Sequence, residues 1–255
     1  MQNTEKIKVS ACIVTHNNSD IILNTVNSIL KNTTGVDMKL YISDNLSTDD
    51  TVKKLRQNTT DITIIENSGN NGFGAGHNAV LPMLDSKYHA IINPDITIND
   101  DIITVLVNYM ENNPDIGIIT PKILNDDGTE QKLPKKSPKI KYLLGRFEKY
   151  GSIFKKWRAE YTMAEDEINQ PTDIGFCTGC FMLVRTELFK KIGGFDERYF
   201  MYFEDADLTR EVLKTHRVVF YPSVSAIHHW ERASSKSLKF FLIQLSSMIK
   251  YFIKR

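Results

Sequence analysis

The chain has 255 residues and is 41% hydrophobic, enough to bury the core of one large α/β domain or of two closely packed halves. Its formal net charge of +1 argues against a nucleic-acid binder, which needs a strong excess of lysine and arginine. Three cysteines and no apolar segment behind Met1 predict a reducing cytoplasmic setting rather than a secreted disulfide framework. No apolar run approaches the roughly 20 residues of a membrane span.

The first part of the chain alternates short buried strands with a helix. Residues 8–15 are rich in β-branched and apolar residues at both odd and even positions, which is typical of a central strand with two buried faces. Further strands are predicted at residues 38–43 and 61–66, and a helix from Asp20 to Leu30. This order predicts a parallel doubly wound sheet, in which ligands bind beyond the carboxyl ends of the strands.

Polar residues follow the second and third strands at this edge. Asp44 is either a binding residue or an aspartate that forms a turn. The third strand leads into a glycine-rich segment at residues 70–78, whose glycines let backbone N–H groups approach a phosphate or sugar closely. A helix at residues 76–84 is expected to present its positive N-terminus there. The glycine spacing is a weak match to a dinucleotide-binding turn, because it follows the third strand.

The next strand, residues 87–92, delivers Asn93-Pro94-Asp95 to the same edge. Proline fixes the turn, so Asp95 is expected to point outward. A helix at residues 100–111 and a strand at residues 116–120 follow.

Two stretches combine basic and apolar residues. Residues 132–158 hold ten lysines or arginines against a single acid, Glu148, with apolar residues spaced by three and four. That pattern fits a helix on an anionic membrane surface or a helix packed on the core with a solvated basic face. Residues 236–255 repeat it at the end of the chain. Together the two stretches favour peripheral attachment to an anionic membrane surface.

Residues 173–185 form a predicted strand with a glycine-containing bend. Cys177 and Cys180 have the spacing of half a zinc site, but the chain has no second pair, so we interpret them as packing residues. A strand at residues 217–222 leads to His228 and His229. Each of these is either a buried core histidine or a ligand.

Residues 192–210 contain two glycines, an aromatic run and a cluster of acids. The run Phe-Met-Tyr-Phe is expected to bury the Glu204-Asp205 pair behind it, where the basicity of a carboxylate rises. The alternative is that Asp205 or Asp207 only caps a helix at residues 206–215.

Several of these motifs occur together in one known family. Asn93-Pro94-Asp95, the glycine-rich segment, Phe-Met-Tyr-Phe-Glu-Asp-Ala-Asp-Leu at residues 200–208 and the His228–Arg232 cluster resemble the family 2 inverting glycosyltransferases, and more narrowly the bacterial rhamnosyltransferases of O-antigen and capsule biosynthesis. The first acid of the Asp-x-Asp motif common in this fold is here Asn93, which leaves Asp95 as the metal-binding carboxylate of that motif.

The resemblance implies an α/β protein with the GT-A fold. We expect a Rossmann-like nucleotide-binding half (residues 1–99) and an acceptor and catalytic half (residues 100–235) in one domain, with a mixed central sheet flanked by helices. A basic amphipathic helix (residues 236–255) is expected to follow.

The resemblance also implies roles for individual residues. Asp205 is expected to be the catalytic base, with Glu204 orienting or tuning it. Asp95 and His228, with His229 as the second choice, are expected to hold Mg²⁺ or Mn²⁺. The acceptor side is expected to comprise Thr178, Gly179, Trp230 and Arg232. The residues expected around the donor are Thr15, Asn17, Asp44, Asn45, Asn71, Gly72, Phe73, Gly74, Asn78 and Asn93.

The implied reaction is a direct displacement with inversion. L-rhamnose would move from dTDP-L-rhamnose to a hydroxyl of a lipid-diphosphate-linked saccharide, on the inner face of the cytoplasmic membrane. Related enzymes use UDP-hexose donors, which leaves the sugar open. A sugar nucleotidyltransferase would need a basic glycine-rich loop near the N-terminus, which residues 15–18 lack. An inactive membrane-bound scaffold would be expected to have lost its acids.

Overall fold

The structure is a computed structural model, and it describes residues 6–145, 151–163, 166–229 and 238–254. Within this part of the chain, nine strands form one sheet. The strands are β1 (Lys8–Thr15), β2 (Asp37–Asp44), β3 (Ile62–Glu66), β4 (Tyr88–Ile92), β5 (Ile96–Thr97), β6 (Ile116–Leu124), β7 (Thr172–Asp173), β8 (Phe181–Arg185) and β9 (Arg217–His228). Their order is β3-β2-β1-β4-β8-β6-β9-β5, and β7 also pairs with β9.

The helices of the described residues surround this sheet. They are α1 (Ile22–Asn32), α2 (Thr51–Asn58), α3 (Phe73–Asn78), α4 (Ile102–Glu111), α5 (Ile140–Leu144), α6 (Ser152–Thr162), α7 (Thr186–Ile192), α8 (Glu204–Val212) and α9 (Leu238–Ile253). None of them is both long and apolar enough to cross a membrane.

The sheet is mixed, as the family resemblance implies, and it is not the wholly parallel sheet expected from the order of the first elements. Strands β3, β2, β1 and β4 are parallel neighbours, whereas β8 runs antiparallel to both β4 and β6. The parallel strands therefore end at one edge, where their following loops meet. One continuous sheet crosses both predicted halves, and the division at residue 99 stays a prediction.

Strand β1 is buried on both of its faces. Alternate side chains enter two different apolar clusters, with Ala11 and Ile13 in one and Cys12 and Val14 in the other. Successive side chains of a strand point to opposite faces, so a centre of this kind requires the continuous apolar run seen in the sequence. The three cysteines are buried and free, in line with their interpretation as packing residues.

Two predicted helices are wrong at their ends. The helix expected at residues 76–84 begins at Phe73 and ends at Asn78, and a separate 3₁₀ turn covers Leu81–Met83. Pro82 has no N–H to continue an α-helical hydrogen-bond ladder, which explains the break. The helix expected at residues 206–215 is α8, which begins two residues earlier, at Glu204, and ends at Val212.

Other elements were missed or drawn too short. Helices α2 and α7 and strand β5 were not predicted, and β9 extends well beyond residue 222 to His228. The basic stretch at residues 132–158 contains α5 and most of α6. No residue of α6 is buried, so this helix does not belong to the core.

Candidate active site

Asp205, the predicted base, lies in the first turn of α8 and is held by two backbone amides. The N–H of Gly179 donates to Oδ2 at 3.0 Å, and the N–H of Ala206 donates to Oδ1 at 2.8 Å. Burial raises the pKa of Asp205, while the two amides and the charge of Lys135 oppose that rise. A carboxylate held in this way has a fixed orientation and a higher basicity than a solvated aspartate.

Its neighbour Glu204 is in a less polar setting. The side chain is 6% exposed, and its Oε2 has no hydrogen-bond partner in the described part of the chain. Burial, followed by the charge of Asp205, raises the pKa of Glu204 well above its ordinary range. Glu204 therefore favours its protonated form, and its role in tuning Asp205 stays a prediction.

Asp205 and Asp207 are acids of the first turn of α8 rather than its cap. Phe203 occupies the N-cap position, so neither aspartate does. Asp207 is 2% exposed and forms ion pairs with Arg210 and Lys254. These contacts give Asp207 a structural task, and the carboxylates of Asp205 and Asp207 in the first turn also interact favourably with the helix dipole.

Lys135 is a residue of this pocket that the sequence did not single out. Its carbonyl accepts hydrogen bonds from the N–H groups of Gly175 and Phe176, and its ammonium lies 5.2 Å from the centroid of the Phe176 ring. Burial lowers the pKa of Lys135, and the charge of Asp205 acts against that change. In the sequence it is one of ten cations in a basic stretch, and nothing there distinguishes it from its neighbours.

Asp95 and His228, the two predicted metal ligands, face each other. His228 Nε2 lies 3.3 Å from Asp95 Oδ1, and no described residue donates a hydrogen bond to that oxygen. His228 Nδ1 contacts the side-chain oxygen of Gln131 at 3.0 Å. Strands β5 and β9 are responsible for this approach, because Ile96 and His228 are paired in their ladder.

His229 points away from this pair. Its Nε2 contacts Thr97 Oγ1 at 2.8 Å, and its Nδ1 contacts the carboxylate of Asp126. The geometry therefore favours His228 as the ligand. One carboxylate and one imidazole suit a divalent cation that takes its other ligands from phosphate oxygens and water. Among the described residues, no group of three or more acidic, histidine or cysteine side chains forms a complete metal site.

A short segment connects the Asp95 pair with Asp205. The carbonyl of Cys180 accepts a hydrogen bond from the N–H of Asn93, two residues before Asp95. The preceding residue, Gly179, donates to Asp205. The antiparallel pairing of β4 and β8 places these segments side by side, so the Asp95–His228 pair and Asp205 lie near each other at the sheet edge.

Three residues predicted to bind the donor contact neighbouring residues of the loops at the sheet edge. Asp44 accepts hydrogen bonds from both the N–H and the hydroxyl of Ser47, which are the contacts of the turn-forming alternative. Thr15 donates to the Asn18 side chain, and the exposed Asn17 accepts from the N–H of Thr48 at 2.7 Å. Their contacts with a donor stay predictions, and a base bound at Asp44 would share its carboxylate with Ser47.

The glycine-rich segment packs against the chain itself. Gly72 has φ +97°, and a Cβ atom there would lie 2.0 Å from the carbonyl oxygen of Phe200. A Cβ atom at Gly74 would lie 2.8 Å from Phe195. The side chain of Asn45 donates to the Gly72 carbonyl at 3.0 Å. These glycines therefore allow close packing with the loop before Asp205, a requirement that the phosphate-binding interpretation did not anticipate.

The remaining predicted residues differ in what surrounds them. Asn78 binds both the N–H and the carbonyl of Phe195, which stabilises the turn before the acidic cluster. The ring of Phe73 lies against Gly179. Asn71 is exposed, Asn93 and Thr178 are half-buried, and Trp230 and Arg232 lie outside the described residues. Their roles stay predictions.

Comparisons with known proteins identify the family of this chain. The model of the family "Glycosyl transferase family 2" matches residues 10–193. An N-acetylglucosaminyl-diphospho-decaprenol L-rhamnosyltransferase of Mycobacterium tuberculosis is 27% identical over 206 residues, covering 75% of this chain and 66% of that protein. The chain thus spans slightly less than two thirds of this relative. Rhamnosyltransferase WbbL of Escherichia coli is 28% identical over 260 residues, covering 95% of this chain and 92% of its own.

A solved structure extends the agreement to the fold. GalNAc-T7 with UDP, GalNAc and Mn²⁺ superposes with a TM-score of 0.67 and 14% identity, covering 94% of this chain and 48% of that one. The predicted mixed sheet of the GT-A fold is confirmed by this likeness. Because the family model matches most of the chain, the protein belongs to glycosyl transferase family 2.

Proposed function

We propose that this protein is an inverting glycosyltransferase that moves L-rhamnose from dTDP-L-rhamnose to a hydroxyl of a lipid-diphosphate-linked saccharide. The proposal depends on one observation. The half-buried, amide-held carboxylate of Asp205 lies near the facing pair Asp95 and His228 at the sheet edge. A base beside an anion-stabilising site is what a displacement at a sugar carbon requires.

In this mechanism Asp205 removes the proton of the acceptor hydroxyl as its oxygen attacks the anomeric carbon. Its two amide bonds fix the carboxylate, and burial keeps its pKa raised, so it is a stronger base than a solvated aspartate. General base catalysis of this kind contributes typically about 10²–10⁴-fold to the rate. The nucleoside diphosphate leaves from the opposite face of the sugar.

Asp95 and His228 would hold a divalent cation, Mg²⁺ or Mn²⁺. A cation there would stabilise the negative charge of the departing diphosphate. The fit comes from the donor set and from Asp95 Oδ1, which is buried and to which no described residue donates a hydrogen bond. Mg²⁺ is commonly bound by one or two protein ligands together with substrate phosphates, which agrees with a pair of side chains.

The donor and the acceptor are proposed by analogy with the relatives. The relatives from Mycobacterium tuberculosis and Escherichia coli are both rhamnosyltransferases by name, and the name of the mycobacterial relative specifies a diphospho-decaprenol carrier. An acceptor of that class would place this protein at the cytoplasmic face of the membrane. The basic segments at residues 132–158 and 236–255 fit such an anionic surface.

The test is the release of nucleoside diphosphate from a panel of sugar nucleotides, with Mg²⁺ or Mn²⁺ and then with a chelator. We expect release from dTDP-L-rhamnose, loss of that release on chelation, and slower reaction with UDP-glucose and UDP-galactose. A preference for a UDP-hexose would replace the donor assignment. Absence of release from every donor would overturn the enzyme assignment.

A substitution tests the base. Asp205→Asn should lower transfer at least 10²-fold, because the amide cannot accept the proton, while nucleotide binding measured by calorimetry stays close to wild type. Glu211→Gln, a similar change on the same helix at a surface ion pair with Lys214, is the matched control and should leave both unchanged. Near-normal turnover in Asp205→Asn would assign the base elsewhere.

A further inference from the structure

Helix α9 carries an exposed apolar surface, which we call the outer stripe. Large apolar side chains recur at three- and four-residue spacing, so they share one face within about 120° of the helix circumference. Leu242 is 54% exposed and Ile249 is 49% exposed. A contiguous apolar surface of this kind is unusual on a protein that has no partner for it. Its members are Leu238, Phe241, Leu242, Leu245, Ile249 and Ile253.

The opposite face of α9 holds the loop that leads to the catalytic base. Ser247 and Tyr251 are the buried residues of this helix. The Ser247 hydroxyl donates to the carbonyl of Met201 at 2.8 Å, and the Tyr251 ring lies 5.4 Å from that of Phe203. Residues 196–203, which we call the base loop, are therefore bound directly to α9.

Ion pairs add to this attachment. Lys254, just beyond the last turn of α9, reaches Asp196 at 2.8 Å and Asp207 at 2.6 Å. The guanidinium of Arg210 lies 4.2 Å from the centroid of the Tyr251 ring and donates to the Tyr251 carbonyl. These contacts reach the base loop at one end and the catalytic helix α8 at the other.

The base loop depends on such contacts because its backbone is strained. Tyr202 and Phe203 have φ angles of +68° and +67°, in the left-handed region that is unfavourable for aromatic residues. Conformations of this kind persist only where surrounding contacts hold them. They immediately precede Glu204 and Asp205, so the position of the base depends on what α9 provides.

The charge around the outer stripe suits an anionic surface. Residues 238–254 contain three lysines and no acid. Lys239 is exposed at the edge of the stripe, where its ammonium group could reach lipid phosphates while the apolar side chains enter the interface. The ammonium groups of Lys250 and Lys254 instead bind the Arg198 carbonyl and the carboxylates of Asp196 and Asp207. A cavity of about 370 Å³ separates the end of α9 from residues 137–139, which precede α5. Helices α5 and α6 also carry exposed apolar side chains, Ile140 and Ile153.

We propose that the outer stripe of α9 docks on an anionic lipid bilayer, and that docking stabilises the base loop through the inner face of the same helix. The proposal takes the catalytic role of Asp205 from the proposed function. The docking itself depends only on the two faces of α9, so it can be tested without donor or acceptor.

The first experiment is co-sedimentation of the full chain with vesicles of phosphatidylglycerol and phosphatidylcholine, or of phosphatidylcholine alone. We expect at least tenfold stronger binding to the anionic vesicles. Leu242→Glu/Ile249→Glu should lose at least tenfold of this binding. Gln244→Glu/Ser246→Glu adds the same two charges at exposed polar positions of the helix and should lose about threefold or less. Equal losses in both variants, or no binding by the wild type, would overturn the docking.

A second copy of the chain is the competing occupant of the stripe. Light scattering at micromolar concentration distinguishes it from a bilayer. A monomer that binds vesicles supports the proposal. A dimer that Leu242→Glu/Ile249→Glu converts to monomers, together with absent vesicle binding, would assign the stripe to self-association and overturn the proposal.

Hydrogen exchange then tests the connection to the base. Amides of residues 196–210 should exchange at least threefold more slowly in the wild type and in Gln244→Glu/Ser246→Glu when anionic vesicles are added. In Leu242→Glu/Ile249→Glu they should be unaffected by vesicles. Bound wild-type protein with unchanged exchange in this segment would refute the stabilisation. None of these measurements depends on transfer, so their failure would leave the glycosyltransferase proposal standing.

Discussion

Two adjacent acids, Glu204 and Asp205, differ in both burial and partners, since Glu204 is buried and Asp205 is half-buried. Asp205 accepts hydrogen bonds from two backbone amides and lies near a cation, while Glu204 Oε2 accepts none. Hydrogen bonds from amides favour the ionised form, and burial without partners disfavours it. As the pH rises, the Asp205 carboxyl therefore loses its proton before the Glu204 carboxyl does. Environments that separate neighbouring pKa values in this way are typical of acid–base catalysts.

Lys135 should set the pH range in which Asp205 acts as a base. Its positive charge favours the ionised carboxylate, so Lys135→Met raises the pKa of Asp205 further. Catalysis requires the ionised base, and the acidic limb of the pH profile of kcat/KM should therefore move to higher pH. The high-pH plateau should be retained. The measurement is transfer from the sugar nucleotide across the pH range.

Two variants control for this prediction. Lys136→Met removes an exposed neighbouring cation and should leave the acidic limb in place. Lys135→Arg retains the charge and should largely restore the wild-type profile. A Lys135→Met enzyme with lower activity but an unshifted limb would mean that Lys135 acts through packing on Phe176 alone.

Gly72 should tolerate no side chain. Its positive φ angle and the Phe200 carbonyl oxygen, 2.0 Å from an added Cβ atom, both oppose alanine. We expect Gly72→Ala to lower the free energy of unfolding by about 2 kcal/mol or more. Gly69→Ala is the control, since its Cβ atom would meet only Asn71 at 3.8 Å. Denaturant unfolding of the two variants checks the difference. Equal stability would mean that the base loop moves freely away from the glycine-rich segment.

At the scale of elements, the hydrophobic pattern predicted that a strand or helix is present better than it predicted the residues at which that element begins and ends. Strands β1 and β4 at the sheet centre were predictable because they are buried on both faces and are therefore apolar over most of their length. The start of α8 was not, because it depends on two left-handed residues, Tyr202 and Phe203, that only tertiary contacts can hold. Strand β5, with two residues, has too short a pattern to detect.

Helix α9 should contribute to stability through its inner face only. Tyr251 is 3% exposed and packs on Phe203, whereas Phe241 is 45% exposed on the outer stripe. We expect Tyr251→Ala to lower the free energy of unfolding by about 2–4 kcal/mol in the absence of lipid. Phe241→Ala, an equivalent truncation on the same helix, should change it by roughly 0.5 kcal/mol or less. Similar effects at both positions would mean that the outer stripe is covered in solution.

At the scale of the whole molecule, the candidate site is a product of topology. Asp95 and His228 are far apart in the chain and meet because β5 pairs antiparallel with β9. The sequence indicated both side chains through their family resemblance, but it left the choice between His228 and His229 open. The register of one two-residue ladder places His228 opposite Asp95, and its role as a metal ligand stays a prediction. Contacts of this range leave no local pattern, which is also why Lys135 could not be predicted.

This topology predicts that metal and nucleotide bind together. Two protein ligands alone leave most positions of a divalent cation to water, so Mn²⁺ should bind weakly to the free protein. A nucleoside diphosphate supplies further oxygens, and we expect dTDP or UDP to raise the Mn²⁺ affinity at least tenfold. Linkage requires Mn²⁺ to raise the affinity of the nucleotide by the same factor. Paramagnetic resonance of free Mn²⁺ measures the Mn²⁺ affinity with and without nucleotide, and calorimetry measures the nucleotide affinity with and without Mn²⁺.

Variants at the two histidines make this prediction specific. Asp95→Asn and His228→Ala should remove the enhancement, because each deletes one of the facing ligands. His229→Ala is the matched control: its ring is occupied by Thr97 and Asp126, so the enhancement should persist. Loss of the enhancement in His229→Ala but not in His228→Ala would exchange the two assignments. If Mn²⁺ and nucleotide bound independently in the wild type, the pair Asp95 and His228 would have to serve the structure of the sheet edge rather than a cation.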